Sequence, residues 1–356
     1  MSGALAGLKV VELAGIGPGP LACTLLADLG ADVLRIIRPG ELAVGFDGFG
    51  RGRPALMLDL KDDADRSRLV EIIDAADVLI EGFRPGAAER LGIGPDACMA
   101  TNPRLVYARM TGWGQEGPRS REVGHDINYL GLTGALHAIG ERGRRPVPPL
   151  NLVADFGGGT AFVIIGILAA LHERSTSGLG QVVDAAMVDG ASYLMSMTYR
   201  SLNTGLWTDE RGVNSLDGGA PHYRTYECSD GRYVAVGPIE EPFYQALLAG
   251  LELTDAPPRS DRANWPALHE LFEAKFATRT RDEWSEHFAG TDACVSPVLS
   301  LVEAPVDAHM ASRGTFVKGA SGMEPAPAPR LSRTPPQVVD RDDVDAMLAG
   351  WGVAPR

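Results

Sequence analysis

Cysteine is sparse in this chain of 356 residues. Its four cysteines, Cys23, Cys98, Cys228 and Cys294, stand far apart with no C-x-x-C pair, which leaves neither a zinc-ligand spacing nor a disulfide framework. A reducing compartment is expected, and no metal. Aromatic residues are few, 6% of the total, but 45% hydrophobic and 22% charged residues are ordinary for a folded globular protein and exclude extensive disorder. Positive charge is in deficit: 33 Lys and Arg against 46 Asp and Glu give a formal net charge of −13. Such a surface repels nucleic acid and anionic membrane unless basic residues gather locally, so no nucleic-acid partner is expected. The longest apolar run, 161–171, falls short of the ~20 residues of a membrane span, and no membrane association is expected. The first residues lack the basic and apolar regions of a signal peptide, and the terminal VAPR is not a peroxisomal address. The cytoplasm is the expected location. No internal repeat is present.

At ~150 residues per domain the length suggests two domains. Short apolar runs at 9–13 (KVVEL), 32–37 (DVLRII), 55–60 (ALMLDL), 77–80 (DVLI) and 105–110 (LVYARM) read as strands. Helical patterns separate them at 21–29, ended by Gly30, and at 65–75, where Leu69, Ile72 and Ile73 share a face. Strands alternating with helices predict a doubly wound parallel sheet covered on both sides. The Gly- and Asn-rich stretch 203–219 has no apolar periodicity and reads as a linker. Residues 223–237 read as a hairpin, and helices are predicted at 243–251, 265–276 and 281–288. The expected organisation is a large α/β domain over 1–200 with a C-terminal return at 325–356, a linker at 201–222, a small α+β domain at 223–317 and a second linker at 318–324. The Pro-rich stretch 322–336 is expected to be extended, before a short helix near 344–348.

Two regions hold the chemistry. The turn AGIGPGP, 14–20, fails as a dinucleotide fingerprint: the third glycine falls at Pro20, and Pro18 and Pro20 lack N–H donors. A tight strand-to-helix turn is the plain alternative. The second strand ends in Ile37-Arg38 instead of a ribose-binding acid, which suits a phosphate on an adenosine ribose, as in NADP or coenzyme A. Arg51, Arg53, Lys61, Arg84 and Arg90 follow in neighbouring loops, and together they favour an anionic ligand over solvated surface charge. The second region is GHDINY, 124–129, and PPLNLVADFGGG, 148–159. His125, Asp126 and Asp155 serve equally as helix caps. Three glycines after Asp155 allow close backbone approach of a ligand, and two helix starts facing one pocket would stabilise an oxyanion.

The segments LKVVELAGIGPGP, GADVLRIIRPG, DVLIEGFRPGAAERLGIGP, LVYARMTGWGQEGP, GHDINYLGLTGALHAIG, PVPPLNLVADFGGG and YRTYECSDGRYVAVGPIE, in this order, resemble the family III CoA-transferase superfamily, in particular its alpha-methylacyl-CoA racemase branch. The resemblance covers essentially the whole chain. It implies Asp155 at the position that the transferases use as a nucleophile, His125 as the histidine the racemases add, and Glu240, or its neighbour Glu241, as the acid that orients this histidine. It further implies that Arg38, Leu58, Lys61, Arg84 and Arg90 bind the CoA nucleotide and pantetheine. Gly124, His125, Asp126, Ile127, Asn128 and Tyr129 would line the thioester, and Asn151 would neighbour its carbonyl. Met187, Met195 and Met197 are candidates for an acyl surface, or plain helix core.

The implied activity is inversion of the α-carbon of 2-methylacyl-CoA thioesters, with no cofactor because CoA is part of the substrate. One base would stand on each face of a planar enolate, and an aspartate can alternate between its two forms near neutral pH only if burial raises its pKa. Backbone N–H groups at 155–158 would hold the enolate oxygen. The implied assembly is an interlocked homodimer with Glu240 donated across it. Alternatives are a CoA-transferase acting through Asp155, an NADP-dependent oxidoreductase and a non-catalytic acyl-CoA carrier.

Overall fold

A computed structural model describes residues 3–13, 15–40, 50–319, 322–338 and 341–354. Ala14 of the glycine-proline turn, residues 320 and 321 of the expected second linker, and the last two residues of VAPR lie outside these. The chain divides into two compact units. The first comprises Met1–Ala135, Pro149–Ser196 and Pro327–Arg356; the second comprises Leu136–Pro148 and Met197–Ala326. Residues 136–148, which the sequence places within a continuous 1–200 domain, thus belong to the second unit.

The first unit is built on a six-stranded sheet of β1 (Lys9–Leu13), β2 (Asp32–Ile37), β3 (Ala55–Met57), β4 (Val78–Glu81), β5 (Val106–Thr111) and β6 (Val182–Ala186). Every pairing is parallel and the order is β3-β2-β1-β4-β5-β6. Val11 sits opposite Leu34 on one side and Leu79 on the other. β4 and β5 are buried throughout, which explains their continuous apolar runs: crossover helices cover both faces and leave no polar alternation. One core joins Val11, Leu34, Leu79 and Tyr107 to Leu69, Ile72 and Ile73 of the helix Asp63–Asp74 and to Leu348 and Trp351 of the helix Val344–Trp351.

Turn chemistry sets several boundaries that periodicity misplaces. The helix expected from residue 65 starts at Asp63 because the Asp62 carboxylate accepts the N–H groups of Ala64 and Asp65, at 2.9 and 3.0 Å. β3 stops at Met57, where Asp59 and Lys61 enter a turn closed by the Asp59 and Asp65 carboxylates. The first helix begins at Pro18, whose fixed φ suits its opening position. The apolar stretch 161–171 belongs to a longer run. A π-helix, Leu152–Thr160, continues into the helix Ala161–Ser177, and the 26 residues together are long and apolar enough to cross a membrane by length and composition. Here Val163, Ile164, Ile167 and Ala170 are buried, and the run packs on β5 and β6.

In the second unit β7 (Arg224–Glu227), β8 (Tyr233–Val236) and β9 (Val295–Pro297) form an antiparallel sheet with β8 in the middle. The helices Glu241–Gly250, Trp265–Phe276 and Arg281–Phe288 close a core in which Tyr226 stacks on Phe276 at 5.1 Å. β10 (Phe316–Gly319) and β11 (Gly322–Pro325) form a short ribbon. The stretch 203–219 is ordered rather than a bare linker. Asn214 is fully buried, its amide donates to the Thr208 and Glu210 carbonyls, and the Asp217 carboxylate accepts the N–H groups of Gly212, Val213, Asn214 and Gly219. A polar knot of this kind satisfies buried backbone without any apolar period.

Candidate active site

The strand order dictates where a ligand fits. β1 and β4 are neighbours whose following connections run to opposite sides of the sheet, and such a switch point leaves a crevice beyond the strand ends. A cavity of about 570 Å³ lies there, within the range of small-molecule sites. Glu12 and Leu13 of β1, Ile80 and Glu81 of β4 and Met110 of β5 form its floor. The turn 15–20, Arg38, Gly124, His125, Tyr129, Asn151, Asp155 and Met187 form its walls.

Asp155 projects from the π-helix, a rare geometry that recurs at functional sites. Its own N–H and that of Ala154 both donate to Asp126 Oδ2, at 2.9 and 2.8 Å. Asn151 Nδ2 donates to Asp155 Oδ2 at 3.3 Å. Burial pushes the Asp155 carboxyl above the ordinary aspartate range; the Asn151 hydrogen bond and His125 pull it down and Asp126 pushes it further up, with a net rise. Opposite stands Gly17, with φ of 70°, where a Cβ would come 3.4 Å from Asp155 Oδ2. The Thr160 hydroxyl donates to the Pro18 carbonyl at 2.8 Å and ties this turn to the π-helix.

His125 precedes the short helix Asp126–Leu132, and its backbone N–H donates to Asn128 Oδ1 at 3.1 Å. Its ring is exposed at the cavity wall. Tyr129 is held by its hydroxyl, which donates to the Gly124 carbonyl, and by edge-on contact with Trp113 at 4.7 Å. Burial, with the Asp155 charge, raises the Tyr129 phenol. On the floor, Glu12 pairs with Arg53 and lies 3.7 Å from Arg35, while Glu81 accepts from Arg109 Nε at 3.0 Å and from the Phe83 N–H at 2.6 Å. Burial raises Glu81 despite these partners.

The sequence-based candidates separate accordingly. His125, Gly124, Tyr129, Asn151, Asp155, Arg38 and Met187 border one cavity. Asp126 is buried beneath it, and Ile127 and Asn128 are exposed beside it. Lys61, Arg84 and Arg90 are exposed, each in or near the loops that follow β3 and β4. Leu58 is 1% exposed and packed into the core, so its side chain has no surface to offer a ligand. Arg51 and Arg53 leave the basic group: Arg51 pairs with Asp28 at 2.6 Å and Arg53 is sealed against Glu12. The glycines after Asp155 serve packing rather than ligand approach. A Cβ at Gly158 would meet Ala191 N at 2.5 Å, and one at Gly157 would meet the Leu194 side chain at 3.0 Å.

In the second unit Glu240 precedes the helix Glu241–Gly250, and its side chain makes no capping hydrogen bond there. Glu241 is committed, to Gln245 at 2.7 Å and Arg259 at 3.1 Å, which together hold its carboxyl below the usual range. Met195 is half-buried, while Met197 is exposed and belongs to the second unit. Sequence reasoning marked the turn holding Gly17 but not its approach to Asp155, and it missed Thr160 and the floor carboxylates Glu12 and Glu81, which only their places at strand ends could have flagged.

The chain matches CoA-transferase family III over residues 5–342 and belongs to that family. It is 47% identical over 334 residues to the alpha-methylacyl-CoA racemase of Mus musculus, and 45% identical over 335 residues to that of Homo sapiens; each match covers 93% of this chain and 87% of the relative. Among solved structures it resembles a CAIB/BAIF family protein from Brucella suis, with a TM-score of 0.83, 25% identity, and 99% and 100% of the two chains covered.

Proposed function

We propose that this protein is a racemase that inverts the α-carbon of 2-methylacyl-CoA thioesters by two-base proton transfer. The observation that carries the reading is the pairing of His125 with a raised Asp155 carboxyl at one cavity. One base takes the α-proton as the C–H electron pair passes into the thioester carbonyl, giving an enolate. The other, already protonated, returns a proton to the opposite face, so the scheme balances on protein acids and bases alone. Among the first N–H groups of the helix Asp126–Leu132, that of Asn128 is taken by the His125 carbonyl at 2.8 Å, so the enolate oxygen falls to those of Asp126 and Ile127. The N–H groups of Ala154 and Asp155 are not free for it, because Asp126 takes both. Arg38 at the rim, with Lys61, Arg84 and Arg90 beyond it, binds the CoA phosphates.

The test is α-deuterium uptake from heavy water by a 2-methylacyl-CoA with no acceptor acid added. Wild type is expected to label and invert both epimers. His125→Ala and Asp155→Asn are each expected to stop inversion and to retain exchange from opposite epimers. A covalent acyl or CoA adduct on Asp155, found by mass spectrometry without α-labelling, would establish a family III CoA-transferase and end the racemase reading. We propose further that the protein is a homodimer in which the partner subunit's Glu240 orients His125. The exposed apolar side chains of the first unit, Leu150 (75%), Tyr193 (71%) and Ile165 (59%) among them, form the kind of surface that association covers. Sedimentation should give twice the chain mass, and an active monomer would exclude the arrangement.

A further inference from the structure

Asp126 follows His125 directly in sequence and hydrogen-bonds the backbone of Asp155, but its side chain does not line the cavity. It is 5% exposed, and its Oδ2 accepts the N–H groups of Ala154 and Asp155 at 2.8 and 2.9 Å. One oxygen thus uses both of its acceptor positions on the π-helix backbone. Its Oδ1 is buried with no hydrogen-bond partner, so the negative charge is only half compensated, a costly arrangement inside a protein. A neutral asparagine would offer the same acceptor without the charge. The carboxylate also closes the opening turn of a π-helix, whose wide winding leaves N–H groups unpaired there.

We propose that Asp126 is a positioning residue for the reaction: it clamps the backbone of Asp155 at the mouth of the π-helix and keeps a fixed negative charge beside the Asp155 carboxyl. This inference rests on the two-base reading. The clamp aims the carboxyl at the cavity, and the charge opposes its ionisation, in the same direction as burial. The other titratable groups that face Asp155 are His125 and Tyr129 on the neighbouring segment and Glu12, Glu81 and Arg38 across the cavity. The turn 15–20 and the helix Met187–Leu194 bring no titratable side chain to the cavity among the described residues. The hydrogen bonds of Asp126 run to the Asp155 backbone, so its loss bears first on that base.

The experiment measures initial α-deuterium wash-out from each epimer of a labelled 2-methylacyl-CoA across pH, with Asp126→Asn, Asp126→Ala and Asp155→Asn beside the wild type. The epimer whose wash-out Asp155→Asn abolishes reports Asp155. For that epimer Asp126→Ala is expected to lose roughly a hundredfold, the cost of misplacing a reacting group by about 1 Å. Asp126→Asn, which keeps an acceptor, is expected to recover much of the rate with its acid limb moved to lower pH, while the other epimer changes little. An unmoved limb in Asp126→Asn, or equal loss for both epimers, overturns the role of Asp126 and leaves the two-base reading standing. If Asp155→Asn spares both epimers, both claims fall. Asp126→Asn keeps the test decisive even if Asp126→Ala does not fold.

Discussion

Replacing Gly190 by alanine tests whether the site depends on the seam between two helices. Gly190 lies on the helix Met187–Leu194 where this crosses the π-helix, and an added Cβ would stand 2.0 Å from the Gly158 carbonyl oxygen and 2.7 Å from its carbonyl carbon. Carbon and oxygen normally rest near 3.5 Å, so roughly 1.5 Å of separation is missing. Both obstacles are backbone, and no flexible side chain can swing away. Overpacking of this kind costs about 1–3 kcal/mol, and the strain falls three residues from Asp155. If the π-helix yields by ~1 Å, turnover should drop about a hundredfold. Gly131→Ala is the control: a Cβ there meets nothing within 4 Å, in the last turn of a helix, and should leave stability unchanged or raise it by at most about 0.5–1 kcal/mol. Denaturant melts and racemisation rates on the two variants give the comparison. Wild-type stability and turnover in Gly190→Ala would refute the argument that this seam holds Asp155 in place.

Asp155→Asn should raise the melting temperature at pH 7. The folded-state pKa of Asp155 lies above its unfolded value, so the native state binds this proton more tightly; that advantage is complete below the unfolded value and is lost as pH rises through the folded one. The ionised fraction of wild type therefore carries the cost of the buried charge, and the gap between the two proteins should narrow in acid; equal melting at pH 7 would contradict the assignment. The arginines should divide by role. Arg53→Ala leaves Glu12 buried without its main partner and should cost roughly 3 kcal/mol of stability in a denaturant titration, whereas Arg38→Ala should spare stability, raise KM for the CoA ester and leave kcat nearly unchanged. Similar behaviour of the two would show that they are sorted wrongly.

Much of the fold was legible because its strands are buried on both faces, so KVVEL and DVLRII announce themselves without context. The helices Trp265–Phe276 and Arg281–Phe288 match their expected limits because local chemistry sets them: Pro266 in the first turn of one, and Thr280 capping the other through the Glu283 N–H at 3.2 Å. His125 and Asp155 were legible as polar residues at helix starts. What stayed hidden depends on partners far along the chain. Nothing near Arg53 reveals Glu12, nothing near Gly158 reveals Gly190, and the knot around Asn214 uses hydrogen bonds that leave no hydrophobic rhythm. The turn 14–20 fails as a dinucleotide fingerprint on its sequence, and its glycines matter for a different reason, the approach of Gly17 to Asp155.

The three-piece composition of the first unit sets a timetable for synthesis. Its sheet is encoded by the early residues and by 182–186, yet Leu348, Trp351 and Val353 fill the same core. A ribosome that has just made Ala135 needs about 10–40 s to reach Trp351 at ordinary elongation rates. During that interval the apolar ends of the first strands wait, while residues 197–326, which with 136–148 make up the second unit and whose described core runs from Tyr226 to Val295, emerge complete. The later-encoded unit is thus able to fold first. The nascent first unit is the state that chaperones must shield, and a ribosome stalled a few dozen codons before the end would release a chain with a finished second unit and an open first one.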